Sequence, residues 1–277
     1  MSSTTTSSSP QWTRYGLWLP LASPLHCGWR AVGNLKQTRA YVPASALWGA
    51  FVARYARDEG GSNYAEAQRL VTKHLRFSYL FPRTEEKGKD WEVLEQDCVG
   101  SAVSTATKEG RNALGGSLHE IEHVMTRTRA GLRVYLSGYC WVGGGPFDQE
   151  CLKRIWPKLQ VGGERSYGYG RFARVEVTRE EGDGALFDGW ENPQGSIEMR
   201  GKAGMKVMAH VETKQQPEAP FEMEALMGRE RQEGKEADGE GVIRYGLSQA
   251  RILYAPGTKF TSESTWTMDE KGVWLQA

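Results

Sequence analysis

The sequence predicts an α+β fold, and three observations carry that prediction. Residues 13–21 alternate aromatic or aliphatic side chains with small ones and end at a proline, the pattern of a strand. Residues 45–58 place Leu47, Ala50, Phe51, Arg54 and Tyr55 at helical spacing. Beyond residue 179 the texture changes to turn-rich segments broken by strand-like runs. A chain of 277 residues can bury one large core or two modest ones.

Taken in order, residues 1–12 are Ser/Thr-rich, with neither a basic start nor an apolar run, and are expected to be a flexible leader, not a secretion signal. After the first strand comes a polar, basic span through Lys36 and Arg39. The helix at 45–58 follows, with Ser45 as its expected N-cap behind Pro43. Gly49 inside that helix calls for close packing or the close approach of a ligand. Helix is expected again over 65–74 and strand over 75–81, ending at Pro82. Residues 83–97 are charged and loop-like, 101–107 small and β-branched, and 108–116 basic and glycine-bearing.

Two strand-like runs, 117–124 and 132–141, flank a polar turn at 126–131. Residues 147–159 carry Phe147, Cys151, Ile155 and Leu159 at helical intervals, acidic early and basic late, as the helix dipole favours. A glycine-rich loop then leads into an alternating strand at 172–177. Residues 13–179 thus read β, α, an inserted region, β, β, α, β, a ferredoxin-like order with insertions. Residues 180–277 are expected to form a β-rich, acidic C-terminal region. It has a strand near 206–212, closing strands at 250–260 and 265–275, and a mobile loop at about 217–241, which is poor in β-branched and aromatic residues.

Composition excludes several classes. Apolar residues make up 39% of the chain, yet no run approaches the roughly 18 to 20 needed to cross a bilayer as a helix, so no membrane partner is expected. Cys27, Cys98, Cys140 and Cys151 are scattered without a CxxC pair. That argues against a zinc ribbon or disulfide scaffold and suits a reducing cytoplasm. Residues 1–179 hold 24 Lys or Arg against 16 Asp or Glu, and the remainder 11 against 18. A basic front joined to an acidic back suggests that the front faces a polyanion.

The densest feature is the loop Gly162, Gly163, Glu164, Arg165, Ser166, Tyr167, Gly168, Tyr169, Gly170, Arg171, Phe172. Glycine permits positive φ and close backbone approach. Successive N–H groups can form an anion-binding concavity, arginine forks match phosphate oxygens, and tyrosine faces suit base stacking. Composition alone leaves this open against a tight helix-to-strand turn. A nucleotide-binding loop is excluded by context, because the glycines follow a helix and lead into a strand.

His119-Glu120-Ile121-Glu122-His123 matches the zinc-protease pattern HExxH. That chemistry needs a helix, whereas this run reads as strand, on which residues four apart lie about 13 Å apart, too far to share an ion. His26 sits where a metal-independent ribonuclease places a general base, but no acid partner is visible beside it, so a structural or RNA-contacting role is preferred. Asp90 and Asp97 lie in the charged region and are the alternative ligands for a divalent-metal nuclease, although their spacing does not point to one.

Several stretches, in order, resemble the RAMP superfamily of CRISPR-associated proteins. Leu25 to Gly28 is similar to an early His-x-Gly segment, and Tyr41 to Phe51 resembles the superfamily's "YIPGSSLKGAL" helix opening. Thr105 to Glu122 resembles a basic segment followed by a Gly-x-Leu strand motif, and Gly162 to Phe172 is similar to the "GGxRSxGxGxF" loop. These span about residues 14–178. Leu75 to Pro82 looks like a segment of the type III-D subunit that caps the guide RNA's 5′ handle. Two departures matter: Ala44 stands where the glycine of a Pro-Gly-Ser motif is usual, and the early loop lacks the aspartate of cleaving backbone subunits. Both favour binding over cleavage.

The resemblance implies an RNA-recognition-motif-like, ferredoxin-like domain in a type III effector ribonucleoprotein, binding guide RNA and in contact with target RNA and other effector subunits. It implies no cofactor and no metal. Arg165 and Arg171 would contact phosphates with the glycine-loop N–H groups, and Tyr167, Tyr169 or Trp29 would stack on bases. Lys36, Arg39, Lys108 and Arg111 would extend the track, and His26 and Ser45 would meet RNA at the helix start. The acidic C-terminal part would contact neighbouring subunits or remain partly mobile.

Overall fold

The computed structural model describes residues 11–59, 63–84, 97–104, 119–182, 184–187, 189–233 and 243–277. In chain order, the basic front contains β1 (Thr13–Pro20), β2 (Gly28–Val32), β3 (Leu35–Thr38), α1 (Ala44–Asp58), α2 (Tyr64–His74), β4 (Leu75–Phe77), β5 (Phe81–Arg83), β6 (Val99–Ser104), β7 (His119–Val124), β8 (Tyr135–Val142), α3 (Gln149–Ile155) and β9 (Glu176–Glu180). The fold is α+β, with few helices and extensive sheet.

One sheet has the order β4-β8-β1-β9, every neighbour antiparallel, with β5 also pairing β8. Alternation along β1 buries Tyr15, Leu17 and Leu19 on one face, opposite Cys140, Gly138 and Leu136 of β8. The helices pack on that face: Phe51 of α1 meets Phe77, Phe147 and Trp156 with ring centroids 5.5, 5.9 and 6.1 Å apart. A second sheet, β2-β3-β7-β6, stands beside the first and is tied to it where Leu25 bridges Val124.

Several local expectations shift. The polar span after β1 is a β2–β3 hairpin, turned at Gly33, whose φ of 60° suits a tight hairpin turn. Pro43, not Ser45, holds the N-cap position of α1, and no side chain caps it. A Cβ added at Gly49 meets nothing, so packing does not explain that glycine. The 75–81 strand breaks at Ser78, whose hydroxyl donates to Tyr79 O and accepts from Tyr139 N–H. Gly138 of β8 makes room for the break, since a Cβ there would lie 2.5 Å from Tyr79 O. The final strand of this sheet begins at Glu176, while Phe172 makes only an isolated bridge to Leu21.

The C-terminal region adds β10 (Gly184–Leu186), β11 (Trp190–Asn192), β12 (Glu198–Gly201), β13 (Val211–Glu212), β14 (Met223–Leu226), β15 (Arg229–Glu233), β16 (Ile243–Leu247), β17 (Arg251–Tyr254), β18 (Ser264–Met268) and β19 (Trp274–Gln276). Eight of these form a sheet ordered β10-β11-β12-β18-β19-β13-β17-β14, and β15 pairs β16 in a separate hairpin. The segment expected as loop at 217–241 therefore contains strand: β14 pairs β17 over four residues despite lacking β-branched side chains.

This region packs against the basic front. One continuous cluster of buried apolar residues runs from Leu17 and Phe51 to Trp190, Trp266 and Trp274. Asn192 accepts from Arg14 Nη1 at 3.0 Å and Trp141 Nε1 at 3.1 Å, and donates to the carbonyls of Ser196 and Glu198. The turn between β18 and β19 seats Gly272 against Ala44 and Phe77, and Lys271 Nζ lies 3.2 Å from the Trp48 ring centroid.

Candidate nucleic-acid interface

The glycine loop is a fixed structure. Its base is a two-way backbone contact, Val161 N–H donating to Gly170 O and Gly170 N–H to Pro24 O. Gly163 N–H donates to His26 O at 2.8 Å, and Ala22 N–H to Arg171 O at 2.9 Å. Gln160 braces the interior, its amide donating to the carbonyls of both Arg165 and Tyr169 at 2.8 Å. Ser23 Oγ accepts from Arg171 N–H. Neither Gln160 nor Ser23 carries a sequence signal, because both act through backbone partners distant in sequence or across the loop.

The glycines divide by role. A Cβ at Gly170 would lie 1.8 Å from Val161 O, and one at Gly162 would lie 2.3 Å from His26 O. Gly168 has φ of 86° but open space around its Cβ position. Glu164 takes a left-handed φ of 52°, uncommon for a non-glycine residue. Its carboxylate turns inward, 3.0 Å from Lys36 Nζ and 3.6 Å from His119 Nε2. Lys36, expected on the RNA track, thus neutralises the loop's one acid.

The loop's rim is exposed and cationic. Arg165, Ser166, Tyr167 and Arg171 are exposed. Tyr167 is 45% exposed and makes no ring contact among the described residues, whereas Tyr169 is held edge-on by His123, centroids 5.6 Å apart. Among the described residues Arg165, Arg171 and Arg174 have no carboxylate partner. Other arginines are paired, among them Arg14 with Glu180, Arg54 with Asp58, Arg69 with Glu66, Arg154 with Glu59, and Arg251 with Glu212 and Asp269.

His26 is buried between Gly28 and Gly163, its Nδ1–H donating to Glu122 O at 2.7 Å. That bond makes Nδ1 the donor, and Nε2 lies 3.6 Å from the Cβ position of Gly28. His119 and His123 lie on strand β7, not on a helix, so the zinc-protease geometry is absent. Burial pushes the His123 imidazole below its ordinary pKa, and nearby His26 adds to this against a backbone hydrogen bond at Ile121.

The other expected contacts separate. Trp29 already has the Arg30 guanidinium over its ring at 3.9 Å. Arg39 is turned inward, its side chain 9% exposed and paired with Glu224 at 2.8 Å, because strand β14 brings that acid to the end of β3. Ser45 is half-buried in the first turn of α1. Asp97 is half-buried and gives its carbonyl to Arg129 N–H. Lys108, Arg111 and Asp90 lie outside the described residues.

No family model and no curated protein matches the sequence. Among solved structures, the fold is similar to two chains of a type III-B Cmr-beta complex. The first, bound to cognate target RNA, has a TM-score of 0.40 at 14% identity over 61% of this chain, which spans only 61% of that chain. The second, bound to cognate target RNA and AMPPnP, has a TM-score of 0.40 at 11% identity over 90% of this chain and 85% of that one. No helix among the described residues is long and apolar enough to cross a membrane.

Proposed function

We propose that this protein is a non-catalytic guide-RNA-binding subunit of a type III CRISPR effector ribonucleoprotein, holding the repeat-derived 5′ handle through the 162–172 loop. The observation that carries the reading is the exposed rim of the loop, where Arg165 and Arg171 have no acidic partner among the described residues and Tyr167 has no ring contact. Unpaired, exposed guanidiniums beside a free aromatic face are the composition of a single-strand grip. The motif resemblance supports the same assignment, and the antiparallel order β4-β8-β1-β9 is consistent with a ferredoxin-like domain.

Within this reading Arg165 and Arg171 meet phosphates and Tyr167 stacks on a base. Lys36 positions the loop through Glu164 and does not itself touch RNA. His26 serves as scaffold: its carbonyl and its ring both hold the glycine segment. The partners are guide RNA, target RNA at the edge of the site, and neighbouring effector subunits.

The test is binding of labelled guide RNA by the purified protein. Arg165→Ala with Arg171→Ala is expected to weaken binding at least about tenfold and to flatten the salt dependence by about 0.7 per lost phosphate contact. Wild-type-like binding by the double variant would sink the reading. RNA cleavage abolished by His26→Ala or Asp97→Ala would convert the subunit into an endoribonuclease.

A further inference from the structure

The turn joining β7 to β8 carries three arginines that the loop's chemistry does not use. Arg127 and Arg133 face each other as a cross-strand bridge, and Arg129 lies between them on the turn. All three are exposed, and among the described residues none has a carboxylate partner. Like charges directly opposite each other on paired strands destabilise the pair. Here the turn is nonetheless well built: Thr128 N–H donates to Leu132 O, Gly131 N–H to Thr128 O, and Arg127 Nη1 to Gly131 O. Arg129 N–H is anchored to Asp97 O on the neighbouring chain segment.

The turn is also continuous with the glycine loop. Leu21 N–H donates to Val134 O on one side, and Ala22 N–H donates to Arg171 O on the other. The backbones at Val134 and Arg171 therefore flank the adjacent residues Leu21 and Ala22, about two strand spacings or 10 Å apart. None of these arginines has a carboxylate within ion-pair distance among the described residues, and an extended polyanion lying across both elements would pair them.

We propose that the 126–133 turn is a second phosphate-binding element, which takes the backbone of a single-stranded RNA as it leaves the glycine loop across Ala22. The assignment of RNA rests on the function proposed above. A mixed-sequence single strand of about 20 nucleotides and one of about 4 nucleotides serve as probes, spanning both elements or one. The triple variant Arg127→Ser, Arg129→Ser, Arg133→Ser should lose about two units of log K against log salt on the long strand and bind the short strand as wild type does. The triple Arg→Lys variant keeps the charge and should bind the long strand within a few-fold of wild type.

Unchanged long-strand binding by the Ser variant, with the Arg165/Arg171 variant impaired, would overturn this proposal and leave the loop assignment standing. Loss with the Ser variant but not with the loop variant would support the turn and overturn the loop. Should the Ser variant prove unstable, the single variant Arg129→Ser decides, since the turn's hydrogen bonds do not use that side chain: a shallower salt dependence on the long strand supports the phosphate role, and an unchanged one overturns it. No binding by the wild type to either strand would overturn both.

Discussion

The loop glycines differ in what each one permits, and substitutions separate them. Gly168→Ala meets no atom and costs only the left-handed backbone penalty, about 1–2 kcal/mol. Gly170→Ala adds a collision with the Val161 carbonyl, a backbone atom that cannot rotate away. We expect thermal unfolding to show a modest shift for Gly168→Ala and a larger one for Gly170→Ala, with RNA affinity lost only in the latter. Comparable shifts would mean the loop yields more easily than its hydrogen bonds imply. The sequence made all of these glycines legible as a group. It could not rank them, because the colliding atoms, Val161 O and His26 O, are brought in by tertiary approach. Glu164 was illegible for the same reason: its partners Lys36 and His119 come from other strands.

At the scale of elements, the buried group Arg39, Tyr79, His210 and Glu224 joins the end of β3 and the β4–β5 break to β14. Tyr79 OH and His210 Nδ1 are 2.7 Å apart, and His210 Nε2 lies 3.2 Å from Glu224. A neutral imidazole satisfies both by accepting from tyrosine and donating to the carboxylate. Burial pushes the His210 pKa down, against the pull of Glu224. Burial pushes Glu224 up, but its hydrogen bonds to His210 and Arg39 outweigh this and hold it below its ordinary value. The unfolded chain therefore binds protons at higher pH than the folded one at both groups. Their contribution is present above pH about 6.5 and is lost on acidification, first through His210 and then through Glu224. Melting temperature should fall between pH 7.5 and 5, and His210→Asn should flatten the upper part of that fall. A wild-type profile that rises on acidification would contradict the assignment.

The elements themselves were unevenly legible. Helical spacing located α1 and α3 because each buries one face of apolar residues. The β2–β3 hairpin was missed because Thr38 is the one buried residue of its two strands, leaving no buried alternation to read. β14 was missed because its strand character comes from its partner β17 and not from its own residues.

At the scale of the whole molecule, Asn192 is the polar rivet between the first sheet and the C-terminal region. All four of its hydrogen-bonding capacities are used, and it is 3% exposed. Asn192→Leu leaves the buried Trp141 N–H and one Arg14 nitrogen without this acceptor. We expect a loss of about 2–4 kcal/mol in chemical denaturation, more than Asn→Leu costs on a surface. A change under about 0.5 kcal/mol would show that water replaces the amide. The sequence placed a basic front and an acidic back correctly as a charge pattern, but expected the back to serve neighbouring chains or remain partly mobile. The shared core and the Asn192 and Arg39 contacts show that part of it packs against the front.

The strand order of the C-terminal sheet also governs how it can be assembled. β13 lies between β17 and β19, parallel to the latter, although β14 to β18 intervene in sequence. No succession of local hairpins builds that arrangement, because the central position must be held while distant segments arrive on both sides. Loop-closure entropy is spent before those pairings return anything, which places refolding in the slow range, milliseconds or longer. Until β19 docks, Trp274 and the Gly272 turn are missing from their seats against Trp190 and Ala44. The 162–172 loop is built almost wholly from segments before residue 173, so it can reach its shape ahead of this slow closure.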